Sequence, residues 1–133
     1  VRAAAGDRAV NRAFHVYAEN RRALAEKEAL RQGAFDKFLA LVREIGRSSA
    51  MYLQNVIPTG STAAQELMVT IALCERILEG RGAVRVHGGG FAGTVQAFVP
   101  VELLAGFKAN MEAILGEGRC HVLSIRPEGG AVL

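Results

Sequence analysis

The sequence predicts an α+β fold in which helices pack against a mainly antiparallel sheet of about four strands. Apolar residues recur at helical spacing up to about residue 79, whereas short segments after residue 82 alternate with the period of a strand. Strands joined by short loops pair antiparallel, and helices gathered on one face of such a sheet give a two-layer sandwich. A chain of 133 residues is typical of one domain, which we place over residues 1–133.

The first third of the chain predicts two consecutive helices. The first covers residues 7–32, with Asp7 as its N-cap and Gly33 as its C-terminal stop. The second covers residues 34–47, and the short connection favours an antiparallel pair. The residues expected to face the core are Val10, Ala13, Tyr17 and Leu24 on the first helix, and Phe35, Phe38, Leu39, Val42 and Ile45 on the second.

A loop and a third helix follow. Residues 48–61 contain Ser, Pro and Gly at several positions, which predicts an irregular segment. The third helix is expected to begin near Thr62, which stands at capping-box spacing from Gln65, and to end at Gly80. Its expected core residues are Leu67, Ile71, Cys74 and Leu78.

The rest of the chain predicts the sheet and one more helix. Pro100 stands at the predicted start of that helix, where its missing N–H costs nothing. The expected elements are strands over residues 83–87, 94–99, 120–126 and 131–133, and a helix over residues 101–115. The expected core residues of the helix are Leu104, Phe107, Met111 and Ile114.

The charge distribution argues against nucleic acid or membrane partners. The chain has 16 basic and 13 acidic residues, a net charge of +3, and residues 1–50 have a balance of +4. Because Arg alternates with Glu and Asp along the predicted helices, this part is expected to be a solvated, salt-bridged surface. No apolar run reaches the roughly 20 residues that span a bilayer.

The two cysteines, Cys74 and Cys120, lie in apolar segments without a partner at metal-binding spacing. Buried reduced thiols are typical of a cytosolic protein, so we expect a cytoplasmic location and no metal site. The chain begins at Val1 rather than Met, as a processed product or a piece of a longer protein would.

The most informative segment is a glycine loop between two predicted strands, with Gly88, Gly89, Gly90 and Gly93 in six residues. A tight hairpin needs fewer glycines. Such a run brings the backbone close to a ligand and exposes N–H groups to an anion, which predicts a phosphate or sugar-hydroxyl contact. A loose hairpin or a tight packing crossover, in either case without a ligand, is the alternative. The run is neither a dinucleotide fingerprint, because a strand follows it, nor a P-loop, because no Lys follows it.

Two segments carry a family resemblance. Residues 85–94, Arg-Val-His-Gly-Gly-Gly-Phe-Ala-Gly-Thr, resemble the third conserved motif of the GHMP small-molecule kinases. Residues 12–20, Arg-Ala-Phe-His-Val-Tyr-Ala-Glu-Asn, resemble the Arg-x-x-His-x-x-x-Glu-Asn helix that opens the C-terminal half of galactokinases. The resemblance extends over essentially the whole chain and implies the ferredoxin-like C-terminal domain of the galactokinase family.

This resemblance implies a parent enzyme that transfers the γ-phosphoryl group of ATP to the 1-hydroxyl of galactose with Mg²⁺. The family's sugar-recognition motif, Ser-rich phosphate loop and catalytic Asp lie in an N-terminal domain, and this sequence contains none of them. The implied partners are therefore galactose, ATP and the missing N-terminal domain. We expect no catalytic residue in this chain, and neither kinase activity nor a cofactor requirement for the chain alone.

The resemblance also implies which residues line the substrate and nucleotide cleft. They are His87, Gly88, Gly89, Gly90, Phe91, Ala92, Gly93 and Thr94, with Arg85 and Tyr52 as candidate substrate contacts. Three loop residues depart from the family pattern: His87 replaces Thr, Ala92 replaces Gly and Thr94 replaces Cys. Tyr52 lacks the Tyr-Glu-Val context of the family's sugar-contacting tyrosine.

Several residues have two interpretations at this stage. Arg85 meets a phosphate or makes a cross-strand ion pair, and Phe91 fills the core or forms a wall of the sugar cleft. The spacing of His15 and Glu19 on a helix is typical of a surface pair or a cap contact rather than of catalysis.

Three alternative functions stay open. The parent is another GHMP kinase, acting on a different sugar or a small alcohol, or it is a galactokinase-like module that binds or senses sugar without phosphorylating it. The third alternative is nucleic-acid binding by the basic helical half of the chain.

Overall fold

Four α-helices and one antiparallel ribbon make up the part of the chain that the computed structural model describes, residues 2–91 and 93–125. The helices are α1 (Arg2–Arg31), α2 (Phe35–Ser48), α3 (Glu66–Leu78) and α4 (Leu104–Leu115), and the strands are β1 (Ala83–Val86) and β2 (Val95–Phe98). A π-helical turn, Ser49–Leu53, continues α2, and a 3-10 turn, Val101–Leu103, precedes α4. The predicted α+β class is confirmed.

The ribbon has helices packed against both of its faces. Its two strands pair from Ala83 opposite Phe98 to Val86 opposite Val95. Since successive side chains of a strand point to opposite faces, Ala83 and Val84 contact different layers. One cluster joins the ribbon to α1 and α2 through Ala29, Phe38, Val42, Ala83 and Phe98. The other joins it to α3 and α4 through Cys74, Leu78, Val84, Phe107 and Met111.

The sequence predicts a two-layer sandwich with all helices on one face of the sheet. In the described residues, α3 and α4 cover one face of the ribbon and α1 and α2 cover the other, because both faces of β1 carry apolar side chains. A sheet of about four strands is not found among residues 2–91 and 93–125. Residues 120–125 form no strand, because strand formation depends on packing neighbours and most of this segment is exposed, with Leu123 at 88%. Residue 126 and the predicted strand over 131–133 lie outside the described residues.

The buried face of α1 differs from the predicted one. Tyr17 and Leu24 are 68% and 69% exposed, whereas His15 and Ala29 are buried. The two buried residues lie 14 positions apart, which is close to four helical turns and places them on one face. This face is made of small and polar side chains, so apolar periodicity did not identify it.

The start of α1 also differs. Gly6, at φ 77° and ψ 168°, interrupts the helical backbone. Asp7 is not an N-cap: its carboxylate accepts hydrogen bonds from the guanidinium of Arg2. The predicted helix begins at residue 7, so the helical residues before Gly6 were not predicted.

The segment between α2 and α3 was predicted to be irregular, but it begins with regular helical structure, the π-helical turn. The π-helical turn ends at Gln54, which has a left-handed φ of 57°. α3 begins at Glu66, and the predicted Thr62–Gln65 capping box is not formed. Instead, the Ser61 hydroxyl accepts a hydrogen bond from the N–H of Ala64 at 3.2 Å.

The remaining elements agree closely with the prediction. α2, both strands of the ribbon and the helical segment after Pro100 begin and end within two residues of the predicted bounds. On α3, Leu67, Cys74 and Leu78 are buried as expected. Among the described residues, no helix is long and apolar enough to cross a membrane.

On α4, Phe107 and Met111 are buried as expected, whereas the prediction that Ile114 faces the core is wrong, since Ile114 is 56% exposed. This difference between Met111 and Ile114 can be tested. Met111→Ala is expected to lower the free energy of unfolding by about 3 kcal/mol, because it empties a core position that is 1% exposed. Ile114→Ala is the matched truncation on the outer face, 56% exposed, and is expected to cost less than about 1 kcal/mol. Urea unfolding followed by circular dichroism measures both; equal losses would contradict this packing of α4.

Candidate functional site

The glycine loop connects β1 to β2 as a wide hairpin. The N–H of His87 donates to the C=O of Thr94 at 2.9 Å, which closes the loop at its base. Four loop residues have left-handed φ angles: Gly88 (64°), Gly90 (75°), Phe91 (49°) and Gly93 (86°). Three of these four residues are glycines, which adopt a left-handed φ without strain. Ala92 lies outside the described residues.

One side of the loop rests on Asn55, in the segment after the π-helical turn. The N–H of Phe91 donates to the backbone C=O of Asn55 at 3.1 Å. A Cβ at Gly90 would lie 2.1 Å from that backbone oxygen and 2.8 Å from the Asn55 Cγ, so only glycine fits. Asn55 is 3% exposed, and its Oδ1 has no hydrogen-bond partner among the described residues.

The other side of the loop is open. No atom lies within 4 Å of the position that a Cβ would occupy at Gly88, Gly89 or Gly93. Among the described residues, the N–H groups of Gly88 and Gly89 have no backbone acceptor. Exposed N–H groups in left-handed turns attract anions. The loop thus has the room and the donors that a phosphate or a sugar hydroxyl requires.

Arg85, on β1 beside the loop, and Phe91, within the loop, each had two interpretations from the sequence. Arg85 lies opposite Gln96 in the ribbon, and its Nε donates to the Gln96 Oε1 at 2.9 Å. This is a cross-strand contact, made to a neutral amide rather than in an ion pair. Phe91 is 47% exposed and does not fill the core.

The motif helix α1 is joined to the segment that supports the loop. The Nδ1 of His15 lies 2.9 Å from the Ser48 hydroxyl in a buried hydrogen bond between α1 and α2. Arg12 donates from Nε to the C=O of Leu53, at the end of the π-helical turn, at 3.2 Å. The expected surface pair of His15 with Glu19 is wrong, since Glu19 pairs with Arg22 at 3.1 Å.

The environment of His15 favours its neutral form. Burial lowers the pKa of His15 below its ordinary value, and the nearby positive charge of Arg22 lowers it further, while Glu19 acts in the opposite direction. A neutral imidazole suits a hydrogen bond to a hydroxyl, because one ring nitrogen keeps a lone pair.

Tyr52 lies in a groove that does not include the glycine loop. The groove has a volume of about 670 Å³ and lies between α1, α2 and the π-helical turn. Its walls include Phe14, Arg21, Arg22, Arg47, Met51 and Tyr52. Among the described residues, no member of the glycine loop lines the groove that contains Tyr52.

Cys74 lies in the core, and its environment decides whether its thiol is reactive. Burial raises the pKa of Cys74 to about 11, and its Sγ lies 3.9 Å from the Met111 Sδ in the core. Such a thiol stays protonated and is not a nucleophile near neutral pH. Within the described ranges, no group of three or more His, Cys, Asp and Glu residues is placed to hold a metal ion.

Comparison with known proteins supports a relationship to one enzyme class. The chain is 31% identical over 94 residues to the galactokinase of Mannheimia succiniciproducens. The match includes 71% of this chain but 23% of that galactokinase, so the chain spans about a quarter of its relative's length. No family model matches the chain, and no solved structure matches it. The chain is thus similar to a galactokinase over part of that enzyme.

The contact between the glycine loop and Asn55 predicts that alanine substitutions at three loop glycines destabilise the fold by different amounts. Gly90→Ala is expected to lower the free energy of unfolding by about 3 kcal/mol, since it adds a left-handed φ and an overlap with Asn55. Gly88→Ala adds only the φ cost, about 1 kcal/mol. Gly89→Ala has neither and should change stability by less than about 0.5 kcal/mol. Urea unfolding measures the series; a loss for Gly89→Ala as large as for Gly90→Ala would contradict it.

The buried His15 predicts that stability falls in mild acid. Because the pKa of His15 is lower in the folded state than its ordinary value of about 6.5, the unfolded chain binds more protons in mild acid. The contribution of neutral His15 to the free energy of unfolding is therefore fully present above about pH 6.5. It is lost as the pH falls through the lowered pKa of the folded state. Melting temperatures from about pH 8 to about pH 5 should decrease more steeply for the wild type than for His15→Gln. His121→Gln, at an exposed position, is the control and should keep the wild-type slope.

Proposed function

We propose that this chain is the C-terminal domain of a galactokinase and that its glycine loop forms one side of the cleft for galactose and ATP. The observation that carries the proposal is the loop itself, with one side seated on Asn55 and an open side at Gly88, Gly89 and Gly93. Its sequence resembles the third GHMP kinase motif. The similarity to the Mannheimia galactokinase over 71% of the chain supports the same assignment.

The role of the loop follows from the charge that moves in phosphoryl transfer. Such transfer depends on positioning and on neutralising the charge of the phosphate oxygens. The open side of Gly88 and Gly89 allows a phosphate or a sugar hydroxyl to approach the backbone closely. Mg²⁺, when bound with ATP, would neutralise phosphate charge, with ligands from the phosphates and from the part of the parent that this chain lacks.

The chain alone is expected to be inactive, because the catalytic Asp and the Ser-rich phosphate loop of the family are absent from its sequence. Substrate choice and catalysis would depend on the N-terminal domain of the parent polypeptide. The glycine loop would contribute positioning, and Arg85 would support the ribbon through Gln96 rather than bind a phosphate.

The test compares the parent polypeptide with the 133-residue chain. Galactose-dependent release of ADP and formation of galactose 1-phosphate are expected from the parent with Mg²⁺ and from the chain alone at no more than the background rate. Other substrates, namely a different hexose, homoserine and mevalonate, should react far more slowly than galactose.

Loop variants of the parent test the role of the glycine loop. Gly89→Val adds a side chain on the open side, where there is space for its Cβ, so kcat/KM should fall at least about tenfold, and a circular dichroism melt checks that the variant is folded. Gly106→Val, on α4 and also in open space, is the matched control and should keep the wild-type rate. If another substrate reacts faster than galactose, that substrate takes the place of galactose in the proposal. If the parent binds galactose without releasing ADP, the result favours the sugar-sensing alternative.

A further inference from the structure

The side chain of Asn55 contains a buried hydrogen-bond acceptor that has no partner. Asn55 is 3% exposed, and its Oδ1 makes no hydrogen bond within residues 2–91 and 93–125. By contrast, the buried hydroxyl of Ser48 is paired with the His15 Nδ1 at 2.9 Å. A buried acceptor without a partner destabilises the folded state, so its presence in a native fold requires an explanation.

A hydrogen-bond donor without a partner lies next to this acceptor. Gly90 is buried, and its N–H has no backbone acceptor in the part of the chain that the structure describes. A Cβ at Gly90 would lie 2.8 Å from the Asn55 Cγ, the atom that carries Oδ1, so the two groups are in close contact. The peptide between Gly89 and Gly90 has a glycine on each side, and such a peptide rotates at little steric cost.

The backbone is strained on both sides of this contact. Gln54, directly before Asn55, has a left-handed φ of 57°, and Phe91, directly after Gly90, has a left-handed φ of 49°. Neither is a glycine, so each costs free energy through crowding of its Cβ. Residues held in this way cluster at active sites and in switch regions. Glu79 also has a positive φ, but it lies at the end of α3, where this conformation is common.

Of the two partners in the contact, the loop is the one with room to move. The segment beneath it is tied to α1, because Arg12 donates to the C=O of Leu53 at 3.2 Å. The loop rests on this segment through the Phe91 N–H, which donates to the Asn55 C=O at 3.1 Å. On its other side, no atom lies within 4 Å of a Cβ position at Gly89. A conformational change at this contact is therefore a change of the loop over a fixed Asn55.

We propose that Asn55 is a positioning residue for two arrangements of the glycine loop. In the resting arrangement, Oδ1 of Asn55 is unpaired and Phe91 is strained. In the second arrangement, the Gly89–Gly90 peptide is rotated and the Gly90 N–H donates to the Asn55 Oδ1.

A ligand on the open side of the loop selects between these arrangements. The C=O and N–H of a trans peptide point in opposite directions, so the rotation that turns the Gly90 N–H toward Asn55 turns the Gly89 C=O away from it. The open side then presents an acceptor, and a ligand that donates a hydrogen bond favours this arrangement. The identity of the ligand rests on the proposed function, whereas the two arrangements of the loop do not.

The first test uses the 133-residue chain without ligand. ¹⁵N relaxation dispersion is expected to show exchange on the microsecond-to-millisecond timescale at the amides of Gly89 and Gly90. Asn55→Leu lacks the acceptor and should abolish this exchange. Asn110→Leu, the same substitution at an exposed position on α4, is the matched control and should preserve it. A wild-type loop without exchange, or exchange that persists in Asn55→Leu, overturns the proposal.

Urea unfolding of the same chain tests whether Oδ1 is unpaired in the resting arrangement. Asn55→Leu removes an unpaired buried acceptor, so its urea midpoint should be no lower than that of the wild type. Asn55→Ala tests the same point with a smaller side chain, in which overpacking plays no part. Ser48→Ala leaves His15 without its partner and should lower the midpoint. The proposal is wrong if both Asn55 variants lose as much as Ser48→Ala.

Steady-state kinetics of the parent polypeptide test the effect on a ligand. Asn55→Leu should raise KM for galactose about fivefold or more, because one hydrogen bond of the bound arrangement is lost, and should change KM for ATP less than twofold. Asn110→Leu should change neither value. A merely structural role of Asn55 would not separate the two substrates, so equal changes in both KM values contradict the proposal. If the wild-type parent does not phosphorylate galactose, the proposed function fails, and the exchange measured in the chain alone decides the role of Asn55.

Discussion

Burial of β1 on both faces is the constraint on which the rest of the structure depends. A two-stranded ribbon has little stability of its own in water, so it persists because helices cover both of its sides. α2 packs closely against the backbone of β1, since a Cβ at Gly46 would lie 2.9 Å from the Val84 carbonyl oxygen. Gly82 is similarly required, since a Cβ there would lie 2.3 Å from the Phe98 carbonyl oxygen. The glycine loop is held between strands that are themselves fixed by this packing.

The two sequence segments that resemble galactokinases are linked through a short series of contacts. His15 and Arg12 on α1 bond to Ser48 and to Leu53, at the two ends of the π-helical turn. Two residues after Leu53, Asn55 supports Gly90 and accepts the Phe91 N–H. The motif helix therefore helps to position the loop although some 70 residues separate them in sequence. This arrangement gives a structural reason for both segments to occur in one chain.

Periodicity predicted the elements whose apolar residues face a continuous core. It succeeded for most of α2, for α3 and for the ribbon, where a hydrophobic stripe coincides with the buried face. The exception on α2 is Phe35, which was expected in the core and is 53% exposed at the start of the helix. It failed for α1, because that helix packs through His15 and Ala29 and leaves Tyr17 exposed. Asn55 was not identified as a site residue, since no local pattern marks a residue whose role is to lie beneath a loop more than thirty positions away.

The sequence by itself determined the α+β class, the position of the glycine loop and the need for glycine within it, because these follow from local conformational preferences and from short-range periodicity. The tertiary structure decided which glycine is indispensable, which side of the loop is open and which helix face is buried. Only the folded chain places Asn55 against Gly90, and only there do Arg21 and Arg47 line one groove with Tyr52. Steric exclusion and charge clustering act between residues that are distant in sequence, so they arise only when the chain is packed.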